Sequence, residues 1–348
     1  MKLSVVIPCF NAGTFLGEML DSCINQTLKD WEVIIVDDHS TDGITNELLD
    51  YYAQLDSRIK VYIRDREPKG GDTCRNIGMS LVKGEYLMIL DADDVVSPTC
   101  FENRVSFLDD NIDCDYASFS ATSFISGTDP FVHKNKNGMF GRRLGEKPHL
   151  YYLLQLQYPF TVWTNIYRFD KVKNILWDEQ VTVLQDFDWM VSCCLHNLNH
   201  KYASAKECDY FYRTRNDGQN VCADFSADYK CNSTIYLAKK TYDAIKISRD
   251  EELIKLFYKF TYLQVYRILL GEKKQNAIKF VNESSYLGNK FSKKMLYIIK
   301  RIIRKNTKID ALRISGYFFF YVSPSIFYRR FLYCIRDLIL RRGNKFYM

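Results

Sequence analysis

The apolar run Leu87-Met88-Ile89-Leu90 empties directly into Asp91-Ala92-Asp93-Asp94. A run of this kind reads as a buried strand, and three carboxylates crowded at its carboxyl end repel one another unless a hard cation sits between them. A divalent metal is therefore expected there. The same design occurs upstream, where Trp31-Glu32-Val33-Ile34-Ile35-Val36 runs into Asp37-Asp38-His39-Ser40. Two acidic strand ends in the first hundred residues point to one site, built where neighbouring parallel strands finish.

Around those ends, strands alternate with helical patterns. Ser4-Val5-Val6-Ile7 is a short apolar run, and Phe15, Leu16, Met19, Leu20, Cys23 and Ile24 then recur at helical spacing. The unit repeats with a strand over 32–36 and a helix carrying Leu48, Leu49, Tyr52 and Leu55. It repeats again with a strand over 59–63, a helix around Ile77 and Leu81, and a strand over 86–90. Ser97-Pro98 reads as an N-cap and first helical position, opening a helix to about Asp110. A further strand is expected over 116–120. Such alternation predicts an α/β fold with a mostly parallel sheet covered on both faces. Beyond it, strands are expected at 163–167 and 210–213 and a helix beginning at Gln185-Asp186. From residue 226 the pattern is helical only, over roughly 227–246, 250–271, 274–286, 291–305 and 325–342.

Composition narrows the class. With 348 residues, 47% of them apolar, the chain can bury at least one full core, which excludes disorder. The 11 cysteines contain no C-x-x-C pair and read as small buried residues of a reducing compartment. The N-terminal apolar run is cut by Pro8 and Asn11, so no signal peptide is expected. The longest strongly apolar stretch, 314–322, is well short of the roughly 18 residues that span a bilayer. Charge is unevenly spread: residues 289–348 hold 15 Lys and Arg against 2 acids, a net +13, leaving −7 on residues 1–288. Thirteen Phe and Tyr are interleaved with those bases, a mixture suited to an anionic membrane surface. Nucleic acid is not an expected partner, because no recognised binding motif accompanies the charge.

Six motifs in order then form a pattern. They are Ser4-Val5-Val6-Ile7-Pro8-Cys9-Phe10-Asn11, Asn25-Gln26-Thr27, Val36-Asp37-Asp38-His39-Ser40-Thr41-Asp42-Gly43, Arg75-Asn76-Ile77-Gly78, Gly84-Glu85-Tyr86 and Leu90-Asp91-Ala92-Asp93-Asp94. Over residues 1–220 the chain resembles the family 2 inverting glycosyltransferases of the GT-A (Rossmann-like) fold, of the bacterial surface-polysaccharide type. The resemblance implies a nucleotide-sugar-binding and catalytic domain over 1–225. Residues 226–348 are then a helical, basic and aromatic C-terminal region, a candidate for membrane association.

What the resemblance implies can be assigned residue by residue. Pro8, Phe10, Asn11 and Asp38 are expected to hold the nucleotide, Asp38 by accepting a hydrogen bond from uracil N–H. Arg75 is expected to reach the diphosphate or lock the acidic cluster. Asp91 and Asp93 match the family's D-x-D, which holds Mg²⁺ or Mn²⁺ against the donor diphosphate; Asp93 is the first choice for direct coordination. The family takes its catalytic base from an E-D pair at a helix start. Here the pair is Gln185-Asp186, which leaves Asp186 as the base and removes one like charge beside it. Where many members carry a His after the base, this chain has Arg215, a group that stays protonated and cannot ligate a metal but can neutralise a diphosphate.

The expected activity is metal-dependent transfer of a hexose-type unit, with inversion, from a nucleotide sugar, UDP-linked by preference, to an acceptor hydroxyl. The expected acceptor is a lipid-linked glycan. The expected location is the cytoplasm, peripherally at the cytoplasmic face of the inner membrane. A metal-dependent nucleotidyltransferase would favour a Gly-rich basic phosphate loop after the first strand, which Cys9 to Gly13 does not supply. A non-catalytic sugar-nucleotide scaffold would not need the carboxylates.

Overall fold

The computed structural model describes residues 1–132, 140–141, 143–203, 207–214, 227–270, 274–288 and 293. The chain divides into two compact units, one of 1–223 with 240–248 and one of 224–239 with 249–348.

The first unit is built as the alternation predicts: β1 (Leu3–Cys9), α1 (Phe15–Ile24), β2 (Trp31–Asp37), α2 (Ile44–Leu55), β3 (Ile59–Ile63), α3 (Gly71–Ser80) and β4 (Tyr86–Ile89). These strands lie parallel in the order β3-β2-β1-β4. Every residue of β2 is buried, as a strand covered on both faces requires. The register pairs Cys9 with Asp37, so β1 and β2 finish side by side. Pro8 has no N–H to give, and it lies past the last β1–β4 pair, Val6 with Ile89. α3 packs on β1 closely enough that a Cβ on Gly78 would come within 2.5 Å of Val6 Cγ1, so no larger residue fits there.

The sheet continues with β8 (Asn165–Arg168), β6 (Tyr116–Ser118) and β9 (His200–Tyr202). β8 runs antiparallel to both of its neighbours. A second, three-stranded sheet joins β5 (Val95–Val96), β10 (Tyr210–Thr214) and β7 (Ala121–Ile125). The remaining helices of this unit are α4 (Cys100–Asp110), α5 (His149–Leu153), α6 (Phe169–Val172) and α7 (Gln185–Leu195).

Two local readings shift. α4 begins at Cys100, not at Pro98, because Ser97 is already committed elsewhere. Its N–H donates to the Asp209 carbonyl at 2.8 Å, and its own carbonyl accepts from Gln26 Nε2 at 2.7 Å. The strand expected from Trp163 begins two residues later, because residues Val162–Thr164 form a 3-10 turn, held by the Thr161 N–H donating to Thr164 Oγ1 at 3.0 Å.

The second unit contains the start of α8 (Asp228–Ser248), α9 (Glu251–Leu270), α10 (Lys274–Glu283) and a short 3-10 helix, Ser284–Leu287. Phe257, Phe260, Val265, Phe280 and Val281 are buried in it. The helices expected over 291–305, residue 293 apart, and over 325–342 lie outside the described residues. No described helix is long and apolar enough to cross a membrane. Seven of the nine described cysteines are buried, and no disulfide occurs among the described residues.

Candidate active site

Parallel strands expose their carboxyl ends along one edge of the sheet, and the sequence places acids there. Asp37 closes β2 and turns inward, where the Ser40 N–H donates to Oδ2 at 2.9 Å and the Ser40 hydroxyl to Oδ1 at 2.5 Å. It is a loop-shaping residue. Asn11, in the left-handed region at φ +47, braces the two loops together: its N–H donates to Ser40 Oγ at 2.9 Å, and its Oδ1 accepts from the Thr41 N–H at 2.7 Å. Asp38 is 5% exposed and ion-paired through Oδ1 with Arg64, which follows β3. Arg64 was not singled out from the sequence; a lone basic residue after a strand carries no local signal. Phe10 is 46% exposed at the mouth of this loop pair, with Lys69 Nζ 3.8 Å from its ring centre. Pro8 is half-buried behind it.

The second acidic end is sorted by burial. Asp94 is fully buried, accepting from the Tyr210 hydroxyl and, at 2.7 Å, from the Arg213 N–H. Burial pushes its carboxyl well above the usual range, with the charges of Asp93 and Asp91 adding to the push. It ties β10 beneath the loop. Asp91 and Asp93 stay partly open to solvent. Arg213 Nε donates to the Asp93 carbonyl at 2.6 Å, fixing that backbone.

Arg75, one turn into α3, collects the acids around a single guanidinium. It bonds Asp72 at 2.9 Å, Asp91 at 3.3 Å and Gln185 Oε1 at 3.5 Å. Both expectations for Arg75 place it here, beside Asp72 and Asp91. Against the burial that would lower it, Asp72, Asp91 and Asp186 raise the guanidinium's pKa. Burial pushes Asp91 up to about 6, Arg75 pulling it down while Asp186 and Asp93 raise it further. Asp72, 3% exposed, is pushed by burial up to about 7 despite its bond to Arg75. Asp72 is another residue that the motif reading passed over, because a buried acid inside a helix looks like a solvated one in sequence.

α7 presents the third acid. Leu184 precedes it in the left-handed region at φ +59 and offers no side-chain cap, so the first helical turn carries its acids, Asp186 and Asp188, without one. Asp186 is half-buried, and burial raises its pKa while Arg75 lowers it. Asp188 is 4% exposed and bonded by Lys240 Nζ at 2.7 Å. The structure therefore brings Asp91, Asp186 and Gln185 around Arg75, with Asp93 beside Asp91. Arg215 lies outside the described residues.

The donor set fits a hard divalent cation in part. Asp91 and Asp93 offer carboxylate oxygens; burial raises Asp91 most, and the charges of Asp186 and Asp93 that add to the rise are what such a cation would offset. No described group of three or more His, Cys, Asp or Glu side chains is placed to hold a metal. The other ligands of such an ion would include substrate oxygens and water, the usual arrangement for Mg²⁺ at phosphates.

A mostly parallel sheet with helices on both faces and acids at its strand ends is the GT-A architecture. A crystal structure of S. aureus TarS residues 1–349 in complex with UDP shares this fold, with a TM-score of 0.57 at 17% identity over 88% of this chain and 92% of that one. The family model described as Glycosyl transferase family 2 matches residues 4–176, and the chain belongs to that family. The minor teichoic acid biosynthesis protein GgaB of Bacillus subtilis (strain 168) is 26% identical over 340 residues, 95% of this chain and 36% of GgaB. The glycosyltransferase GlyG of Streptococcus pneumoniae serotype 4 is 40% identical over 101 residues, 29% of this chain and 33% of GlyG. The chain thus spans about a third of the length of each of these two relatives.

Proposed function

We propose that this glycosyltransferase moves a sugar from a UDP-linked donor, with inversion, to an acceptor hydroxyl on a cell-surface glycan or glycopolymer. The observation that carries the reading is the Arg75 hub, which draws Asp91 at one strand end and the first turn of α7 toward a single point. The UDP complex of TarS and the teichoic acid role in GgaB's name support the donor and acceptor classes.

Asn11 and Phe10 would hold the base and ribose, and Asp38 would accept from uracil N–H with the oxygen that Arg64 leaves available. Asp91 and Asp93 would hold Mg²⁺ or Mn²⁺; when bound, the ion would supply charge neutralisation for the leaving diphosphate. Arg75 would share that task from the other side of Asp91. Arg215 is kept as a diphosphate contact on sequence grounds alone.

The chemical step falls to Asp186. An inverting displacement requires the acceptor hydroxyl to lose its proton as it attacks, and an ionised carboxylate Oδ takes it. Burial raises the pKa of Asp186, which makes it a stronger base than a solvated aspartate, and the Arg75 charge pulls the other way. The acceptor we favour is a lipid-linked glycan met at the cytoplasmic face of the membrane, since the 289–348 segment is strongly basic and aromatic. This chain would then divide into a catalytic domain over 1–225 and a membrane-facing region over 226–348. The discriminating experiment is a screen of UDP- and GDP-sugars for nucleotide release with Mn²⁺. UDP release from at least one UDP-sugar is expected, and turnover confined to GDP-sugars would overturn the donor assignment.

A further inference from the structure

We propose that Lys240 is a positioning residue for the proposed base, setting the rotation of α7 so that Asp186 faces Arg75; the inference rests on the reading of Asp186 given above. Each residue of an α-helix turns the side-chain direction by about 100°. Asp186 and Asp188, two residues apart, therefore project to nearly opposite sides of the first turn. One side carries the chemistry and the other must be held.

The holding is specific. Lys240 Nζ donates to Asp188 Oδ2 at 2.7 Å and to Asp178 Oδ2 at 2.8 Å, joining the first turn of α7 to the loop before it. That loop is pinned in turn to α3, since Asn76 Nδ2 donates to the Trp177 carbonyl at 2.9 Å and to Glu179 at 2.7 Å. Asn76 adjoins Arg75, and the Arg75 guanidinium lies 4.6 Å from the Trp177 ring centre. Trp177 stacks on Trp189 of α7 at 4.7 Å between centroids. One ammonium thus links the helix bearing the base to the segment that supports the guanidinium facing it.

The need for an outside anchor follows from the helix start. Leu184 supplies no side-chain cap, and the first-turn N–H groups gain no rotational lock from a capping box. A charge-assisted bond from a lysine to a carboxylate 4% exposed supplies the missing constraint. Lys240 lies beyond residues 4–176, the span of the family match, in the stretch 240–248 that groups with the first unit. The geometry of the base is consequently set by a part of the chain that the motifs do not reach.

The test uses full-length protein and the UDP-sugar turned over fastest in the screen above. Lys240→Met should lower kcat at least about tenfold while the Kd for UDP and the donor KM stay within about twofold, and Lys240→Arg should recover most of the loss. In an Asp186→Asn background, Lys240→Met should lower the residual rate less than about twofold, because the placement of that side chain no longer matters. The double variant Lys240→Met/Asp188→Asn removes the carboxylate stranded by the single change, and it should fold and remain slow. Unchanged kcat in Lys240→Met, an equal loss in both backgrounds, UDP affinity falling with rate, or full recovery in the double variant would each overturn the inference. Full transfer by Asp186→Asn alone would instead refute the base assignment on which it rests.

Discussion

Arg75 Nη2 lies 3.3 Å from Asp91 Oδ1, and Nη1 of the same guanidinium lies 2.9 Å from Asp72 Oδ1. A group shared in this way cannot neutralise Asp91 fully, because its charge is already divided. Burial pushes Asp91 up to about 6, Arg75 pulls it down, and Asp186 and Asp93 raise it further, a repulsion that a cation at Asp91 and Asp93 would offset.

UDP with Mn²⁺ or Mg²⁺ is therefore expected to raise the melting temperature by several degrees more than UDP with EDTA. Asp93→Asn should remove the metal-dependent part of that shift and abolish turnover. Equal stabilisation by UDP in EDTA would place the cation outside the binding event, and an active Asp93→Asn enzyme would place it on other ligands.

Asp186→Asn is nearly isosteric and keeps the start of α7 intact. Transfer should fall by about two to four orders of magnitude, with UDP affinity unchanged, as for loss of a general base. A matched loss of affinity and rate in titration calorimetry and kinetics would make Asp186 a structural residue.

Asp72 gives the pH dependence. Its folded-state pKa is raised from 3.8 to about 7, so between those values the folded chain holds a proton that the unfolded chain has released. The stabilisation is complete below about pH 4 and is lost as pH rises through about 7. In metal-free buffer the melting temperature of the wild type should therefore decline over that interval more steeply than that of Asp72→Asn, which has no proton to lose. Identical slopes in a scan from pH 4.5 to 8 would mean that Asp72 is ionised in the fold throughout.

The basic, aromatic segment over 309–348 is predicted to carry membrane affinity, since each base near an anionic surface contributes on the order of 1 kcal/mol. Full-length protein should co-sediment with phosphatidylglycerol vesicles at low salt, lose them at high salt, and lose them on deletion of 309–348. No sedimentation of the full-length protein at low salt would make the segment a packing element only.

Apart from β5, strand and helix order through residue 110 is legible because hydrophobic periodicity is a local property, and the acids at the ends of β2 and β4 stand out against it. The direction of β8 is not legible. Its four residues pair with β4 and β6 across gaps of about 80 and 50 residues in sequence, and nothing within the strand encodes which way it runs. The short strands β5 and β9 escape for a related reason, since two or three residues cannot display a period of two.

The same division holds at the site. By itself the sequence determined that acids cluster at two parallel strand ends and that Asp186 opens a helix, because burial of apolar runs forces the chain out of the sheet at those points. Only the tertiary structure decided what surrounds each acid. Asp91, Asp93 and Asp94 are equivalent in sequence, yet Asp94 is fully buried by Tyr210 and Arg213 from more than a hundred residues away, while its two neighbours stay accessible. Asp38 is likewise ion-paired by Arg64, and Asp188 by Lys240. A carboxylate's role depends on the charges and dielectric around it, and those are supplied by whichever distant segments the fold brings into contact.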